Sequence, residues 1–268
     1  MIARRISTAI LLLALTGTVL SYENAKYLPL LFLTFHLGIL WEWLSLLRQI
    51  IVVKIIFLII FTLNFVGYFI YNTPETIVLL LQILNLIFWL FVVPVFVVYV
   101  FCHSGAVGCL TSFFCCSVSL ISWLGLMEKG VMFLLSVLTI VWLTDISAFL
   151  FGKLLGKKKL HVRVSPNKTV EGVIGAFAVT AAGALILGLW GFGWYGYFLN
   201  SFGIFGLLVL TIIFVFISVN ADLFESLLKR KAAVKDSGKL LPGHGGLFDR
   251  FDSSIAIGPV VAVFATFI

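Results

Sequence analysis

The chain has 268 residues, of which 62% are hydrophobic and only 11% charged, against about 25% charged in an ordinary soluble domain. With a mean hydropathy of +1.20, it reads as a polytopic membrane protein, and a soluble globular domain is excluded. The net charge of +7 falls at span ends and in two loops, as suits anionic headgroups or phosphorylated substrates. No aromatic-interleaved basic face of the nucleic-acid kind occurs.

About 20 apolar residues are needed to cross a bilayer as a helix, and backbone groups in lipid must be satisfied internally. Continuous apolar runs, without strand-like alternation, predict helices over 5–21, 27–46, 50–71, 76–101, 105–126, 131–151, 170–190, 202–223 and 252–268. The expected fold class is an all-α polytopic membrane protein of about nine transmembrane helices. Arg4-Arg5 ahead of the first run imitates a signal peptide. Thr16-Gly17-Thr18-Val19-Leu20-Ser21 is a poor cleavage site, so a retained span is expected. Trp41-Glu42-Trp43 is expected at an interface, and Pro94 should kink or tilt the fourth run. Cys102, Cys109, Cys115 and Cys116 have neither metal-ligand nor disulfide-framework spacing and read as buried thiols.

Alternating the sides puts all 18 Lys and Arg except Lys26 and Lys129 on the side of the N-terminus. By the positive-inside rule that side is cytoplasmic. Residues 1–130 form an N-terminal region of five spans. Residues 131–268 form a catalytic region of four spans, with cytoplasmic loops 152–169 and 224–251 and the active site facing the cytoplasm. No internal repeat or pair of broken helices of the transporter kind is evident.

The chemistry-bearing residues gather in the second region. Asp145 lies inside the sixth span, roughly 9 Å from its cytoplasmic end, where a carboxylate costs about 2.5–3.5 kcal/mol at a helix centre. Lys157-Lys158-Lys159 reads as a headgroup-facing patch. Ser165-Pro166-Asn167-Lys168-Thr169-Val170-Glu171-Gly172 offers Ser165 or Thr169 as a helix cap, with Glu171 in the first turn. A helix N-terminus bearing Lys168 and Thr169 suits a phosphate, although the spacing of a Walker loop is absent. Asp222 and Glu225 share one helical face, and Glu225 with Lys229 fits a helix ion pair. Lys229, Arg230 and Lys235 suit polyphosphate charge. Pro242-Gly243-His244-Gly245-Gly246 would let backbone N–H groups approach a ligand. Asp249 and Asp252 are hard oxygen ligands on one face, suited to Mg²⁺ shared with substrate phosphates.

From Ser226 through Lys229-Arg230, Lys235-Asp236, Gly238, Leu241-Pro242, His244-Gly245-Gly246-Leu247 and Asp249-Arg250-Phe251-Asp252, the chain resembles the signature of the phosphatidate cytidylyltransferase (CDP-diacylglycerol synthase) family. The segments around Asp145 and from Ser165 to Gly172 resemble it as well. One departure is Asn220-Ala221 before Asp222, where a glycine beside the Asp is expected. The resemblance implies transfer of a cytidylyl group from CTP to phosphatidic acid, giving CDP-diacylglycerol and pyrophosphate in phospholipid biosynthesis. It implies Mg²⁺ dependence and leaves room for a second metal ion. Asp222, Asp249, Lys229, Arg230, Lys235 and Arg250 become the expected catalytic residues. Ser165, Lys168, Thr169, Asp236, His244, Gly245 and Gly246 become substrate-binding residues, and Asp222, Asp249, Asp145 and Asp252 metal ligands. The nucleophile is an anionic lipid phosphate, so no Ser/His triad is needed, and catalysis reduces to positioning and charge neutralisation.

The expected partners are CTP, phosphatidic acid and a lipid bilayer, with a homodimer as a further reading and no nucleic acid. The short chain favours the bacterial inner (cytoplasmic) membrane. Two rivals remain at the level of sequence. A CTP-dependent lipid or polyprenol kinase would release CDP. A membrane ion or solute transporter would use Asp145 and Asp222 as intramembrane ligands.

Overall fold

A computed structural model describes residues 27–71, 73–102, 105–241 and 245–267. In chain order these form α1 (Leu28–Leu46), α2 (Ile51–Ile70), α3 (Glu75–Val98), α4 (Gly105–Glu128) and α5 (Val131–Leu155). A short hairpin of β1 (Lys159–His161) and β2 (Ser165–Thr169) follows. The chain then continues through α6 (Val170–Leu189), α7 (Gly193–Lys231) and α8 (Phe248–Ala265). Seven of these helices, α1 to α7, are long and apolar enough to cross a membrane, and the fold is that of a helical, polytopic membrane protein. The expected run 5–21 lies outside the described residues.

The predicted runs and loops differ from the observed elements at four places. Loop 224–251 was expected to begin where the apolar run stops, but α7 continues to Lys231. Ser226 to Lys231 is rich in helix formers, and the Glu225–Lys229 pair supports one more turn. At its other end α7 reaches back to Gly193 but is broken at Gly203, where φ is +67°, a conformation open to glycine. Ahead of Pro94, residues Phe88–Val92 form a widened π-helical turn inside α3. Proline lacks an N–H and its ring crowds the carbonyl four residues back, so the turn expands there. The loop expected at 152–169 is part helix and part antiparallel hairpin, pairing Lys159 with Thr169 and His161 with Ser165.

Burial sorts the helices by place. Phe61 alone of α2 is buried, and Ile51, Ile55, Ile59, Leu63 and Phe69 are exposed, as for a lipid-facing helix. In contrast, α8 is the central element, buried at Phe248, from Asp252 to Val263 and at Ala265, and it packs on α3, α4 and α7. It is also the least apolar of the long helices near its start, with Asp249, Arg250 and Asp252 in its first turns. Trp123 Nε1 of α4 donates to Ser254 O of α8 at 3.2 Å. A Cβ on Gly258 would come within 2.5 Å of that same indole nitrogen. The four cysteines are free thiols, three of them buried.

Lipid tails are as apolar as leucine, so helices in a membrane associate through close packing and polar contacts. The α5–α6 pair follows that rule. A Cβ on Gly172 would lie 2.7 Å from Ala148 O and 3.2 Å from Gly152 Cα, and Thr144 and Thr180 meet at 3.3 Å across the same seam. Thr169 caps α6 by accepting from Gly172 N at 3.2 Å. Glu171 accepts from the backbone N–H groups of Lys157 and Lys158 at 2.9 and 3.1 Å. The seam therefore fixes where the hairpin starts and where Lys168 points. Gly172→Ala should push α5 and α6 apart and cost about 1–3 kcal/mol, read as a lower midpoint of thermal unfolding in detergent; an unchanged midpoint would contradict the close-packing account.

Candidate functional site

A polar cavity of about 610 Å³ opens between α5, α6, α7, α8 and the hairpin. Nine of the residues expected from the sequence line it: Asp145, Ser165, Lys168, Thr169, Asp222, Lys229, Asp249, Arg250 and Asp252. They come from three helices and a strand and are spread over more than a hundred positions of chain. Asn167, Lys153 and Glu225 join them.

Two lysines at the wall are paired with three of its carboxylates. Lys168 of β2 reaches Asp222 of α7 at 2.7 Å and donates to Val219 O at 3.2 Å. Lys229 lies 2.5 Å from Glu225, one turn earlier on α7, and 2.7 Å from Asp249 on α8. The second oxygen of Asp249 accepts from Ser237 N at 2.8 Å and Gly246 N at 2.9 Å. The Gly246 N–H is thus turned onto Asp249, and Gly245, with φ +89°, makes the turn that allows it. Ser218 Oγ lies 3.4 Å from Asp145 Oδ1 and 3.0 Å from Ser253 Oγ, which brings the carboxylate of α5 to the α7–α8 seam.

The carboxylates of Asp222, Glu225 and Asp252 offer ligand atoms all within 4.8 Å of one another. Glu225 and Asp252 are 1% and 8% exposed, and Glu225 Oε1 is buried without a hydrogen-bond partner. A buried carboxylate oxygen left unpaired is costly, and the donor set is all hard oxygen. That arrangement fits a divalent cation of the Mg²⁺ type better than a thiophilic or imidazole-seeking metal. Asp222 and Asp252 were expected in such a set. Glu225 was placed on one helical face with Asp222 and read as a fit for an ion pair with Lys229, a role it also fills, but it was not named as a metal ligand. Its spacing of three from Asp222 was the available signal.

Other expected residues sit elsewhere. Arg230 turns to the hairpin, where Nε donates to Val164 O at 3.4 Å. Lys235 and Asp236 are exposed on the loop after α7 and are not among the cavity-lining residues. His244 lies outside the described residues. Around Asn220-Ala221, where the sequence departs from the pattern, α7 is continuous helix, with Ala221 1% exposed.

A second, apolar groove of about 280 Å³ lies beside the polar cavity, lined by α1, α5 and α8 residues such as Phe32, Leu138, Trp142 and Phe251. Asp145 and Arg250 line both spaces. The wall they share joins a charged chamber to an oily one. Such a boundary suits a ligand that is ionic at one end and hydrocarbon at the other.

The model of a family described as the cytidylyltransferase family matches residues 3–268. The chain is 39% identical over 137 residues to a phosphatidate cytidylyltransferase of Staphylococcus saprophyticus, covering 51% of this chain and 50% of that protein. To the proteins of the same name from Staphylococcus haemolyticus and Staphylococcus aureus it is 36% and 37% identical over 164 residues, covering 61% of this chain and 60% of each. The chain thus matches about half to three fifths of the length of these relatives. With the family pattern running from residue 3 to the last residue, and its charged signature gathered around one cavity, the chain belongs to the cytidylyltransferase family.

Proposed function

We propose that this protein transfers the cytidylyl group of CTP to phosphatidic acid, forming CDP-diacylglycerol and pyrophosphate in phospholipid biosynthesis. The observation that carries the reading is the polar cavity with its acidic cluster and basic rim, joined at Asp145 and Arg250 to an apolar groove. Family membership and the names of the relatives support it.

In this reaction an anionic phosphate oxygen of the lipid attacks the α-phosphorus of CTP. The new P–O bond forms as the bond from α-phosphorus to the bridging oxygen breaks, and pyrophosphate leaves with the electron pair. The attacking oxygen carries no proton that must be removed, so the chain's task is to hold two anions in line and offset their charge. Lys168, Lys229 and Arg250 supply positive charge at the cavity wall. Ser165, Asn167 and Thr169 supply hydrogen bonds. Asp222, Glu225 and Asp252 would hold Mg²⁺, with Asp145 and Asp249 beside them, and a bound ion would supply further charge neutralisation at the phosphates. The apolar groove receives acyl chain. This reading places the N-terminus and the site on the cytoplasmic side, where CTP is, and the protein in a bacterial cytoplasmic membrane.

The test uses purified protein in detergent, phosphatidic acid, and CTP labelled in the cytidine, with and without Mg²⁺. Label in the lipid phase with matching pyrophosphate is expected. CDP without labelled lipid would establish a kinase instead, and no turnover with any phospholipid would bring a transporter forward. Asp249→Asn should lower activity by on the order of 10²-fold or more while the protein still inserts, as judged by membrane fractionation. Lys159→Ala, exposed on β1, should stay within about twofold of wild type. Glu225→Gln should weaken Mn²⁺ binding followed by electron paramagnetic resonance; an unchanged affinity would remove Glu225 from the ion's ligands.

A further inference from the structure

Glu42 belongs to the N-terminal half of the chain, far in sequence from every residue of the cavity, and it does not line the cavity. Expected at an interface beside two tryptophans, it is instead 1% exposed. Its Oε2 accepts from Ser237 Oγ at 2.8 Å and from Phe248 N at 2.9 Å. Both donors stand next to Asp249. Ser237 Oγ also lies 3.0 Å from Asp249 Oδ2 and accepts from Asp249 N at 3.2 Å. Phe248 opens α8, so its N–H is one of the helix's unpaired donors, and a carboxylate is a favourable partner there.

The surroundings are shaped to this carboxylate. A Cβ on Gly238 would collide with Glu42 Oε1, and one on Gly246 with Glu42 Oε2 and Ser237 Oγ. Two glycines of the charged signature are therefore required by a residue outside it. Trp43, the next residue, stacks on Phe248 at 4.8 Å with the rings 17° apart. A Cβ on Gly38, one turn earlier, would lie 2.5 Å from Leu247 Cδ1. The face of α1 bearing Gly38, Glu42 and Trp43 is the seat on which Leu247 and Phe248 rest.

We propose that Glu42 is a positioning residue: its buried carboxylate clamps Ser237 to the first residue of α8, and through them holds Asp249 in reach of Lys229. The clamp rests on the geometry above; its effect on turnover rests on the cytidylyl-transfer reading. Reach, more than charge, governs the clamp. Glutamine can present one oxygen where Oε2 now sits, whereas aspartate withdraws its carboxylate by about one bond length, roughly 1.5 Å.

The experiment compares wild type, Glu42→Gln, Glu42→Asp and Glu42→Ala in detergent, with Glu75→Gln, exposed at the start of α3, as a control. Two readouts are taken: amide hydrogen exchange, and kcat and KM for CTP. Exchange should quicken in peptides carrying Ser237 and Phe248 for the Asp and Ala variants, and stay at wild type in α4. Their kcat should fall by about 10- to 100-fold, with KM for CTP changed far less, and Glu42→Gln should recover part of the loss. Wild-type exchange at Ser237 and Phe248 in Glu42→Ala would overturn the clamp. So would quickened exchange through α4, which marks general loosening, or an aspartate variant more active than the glutamine one. If wild-type protein makes no CDP-diacylglycerol, the functional reading fails while the exchange comparison still decides the clamp.

Discussion

The Lys229 ammonium, 2.5 Å from Glu225 and 2.7 Å from Asp249, is the contact on which the charged half of this protein depends. It joins the end of α7 to the start of α8. Carboxylates gathered at the edge of a bilayer repel one another and resist leaving water, and they persist there only when cations and hydrogen-bond donors surround them. Here one ammonium lies between two carboxylates that meet Asp252, Asp222 and the signature loop. Lys168 does the same for Asp222 from the hairpin side. The acids and bases of the cavity thus stabilise each other before any ligand arrives. A polyanionic ligand would find its cations already fixed in place.

Around that centre the helices close through small residues and short polar bonds. Gly172 beside Ala148, Gly258 beside Trp123 and the Ser218–Ser253 contact each let two backbones approach where larger apolar side chains would hold them apart. Hydrophobic burial gives little preference among neighbours within lipid. The specific pairings, more than total apolar area, decide which polar groups face the same space. This explains why the helix with the most charge at its start, α8, is also the one most enclosed.

Much of this was legible in the chain. Spans were visible because the membrane imposes a length of apolar sequence, and the signature because Lys229, Arg250 and Asp252 stand at fixed spacing within one segment. Thr169 as a helix cap was readable from the residue type and the helix it precedes. What escaped depends on distant partners. Nothing local marks Glu42 as the partner of Ser237, 195 positions away, and beside two tryptophans it resembles an interfacial residue. Glu225 could be placed beside Asp222 and Lys229 on one helix, but only the packing of α8 brings Asp252 to it. The end of α7 was misjudged because apolarity stops before helicity does. Arg230 and Lys235 show the converse: a place in the signature did not bring their side chains into the cavity wall.

The break at Gly203 sets a length. From residue 204 to 231 a helix rises about 42 Å at 1.5 Å per residue, whereas the hydrocarbon core is about 30 Å thick. With one end at the turn made by Gly203, the surplus is about 12 Å, or the eight residues from Phe224 to Lys231. On a span that starts at Gly203, Glu225 and Lys229 would stand at the level of lipid headgroups, at the depth where a phospholipid keeps its own phosphate. On such a span, the single positive φ at Gly203 would act as a ruler for the ion pairs at the other end of α7.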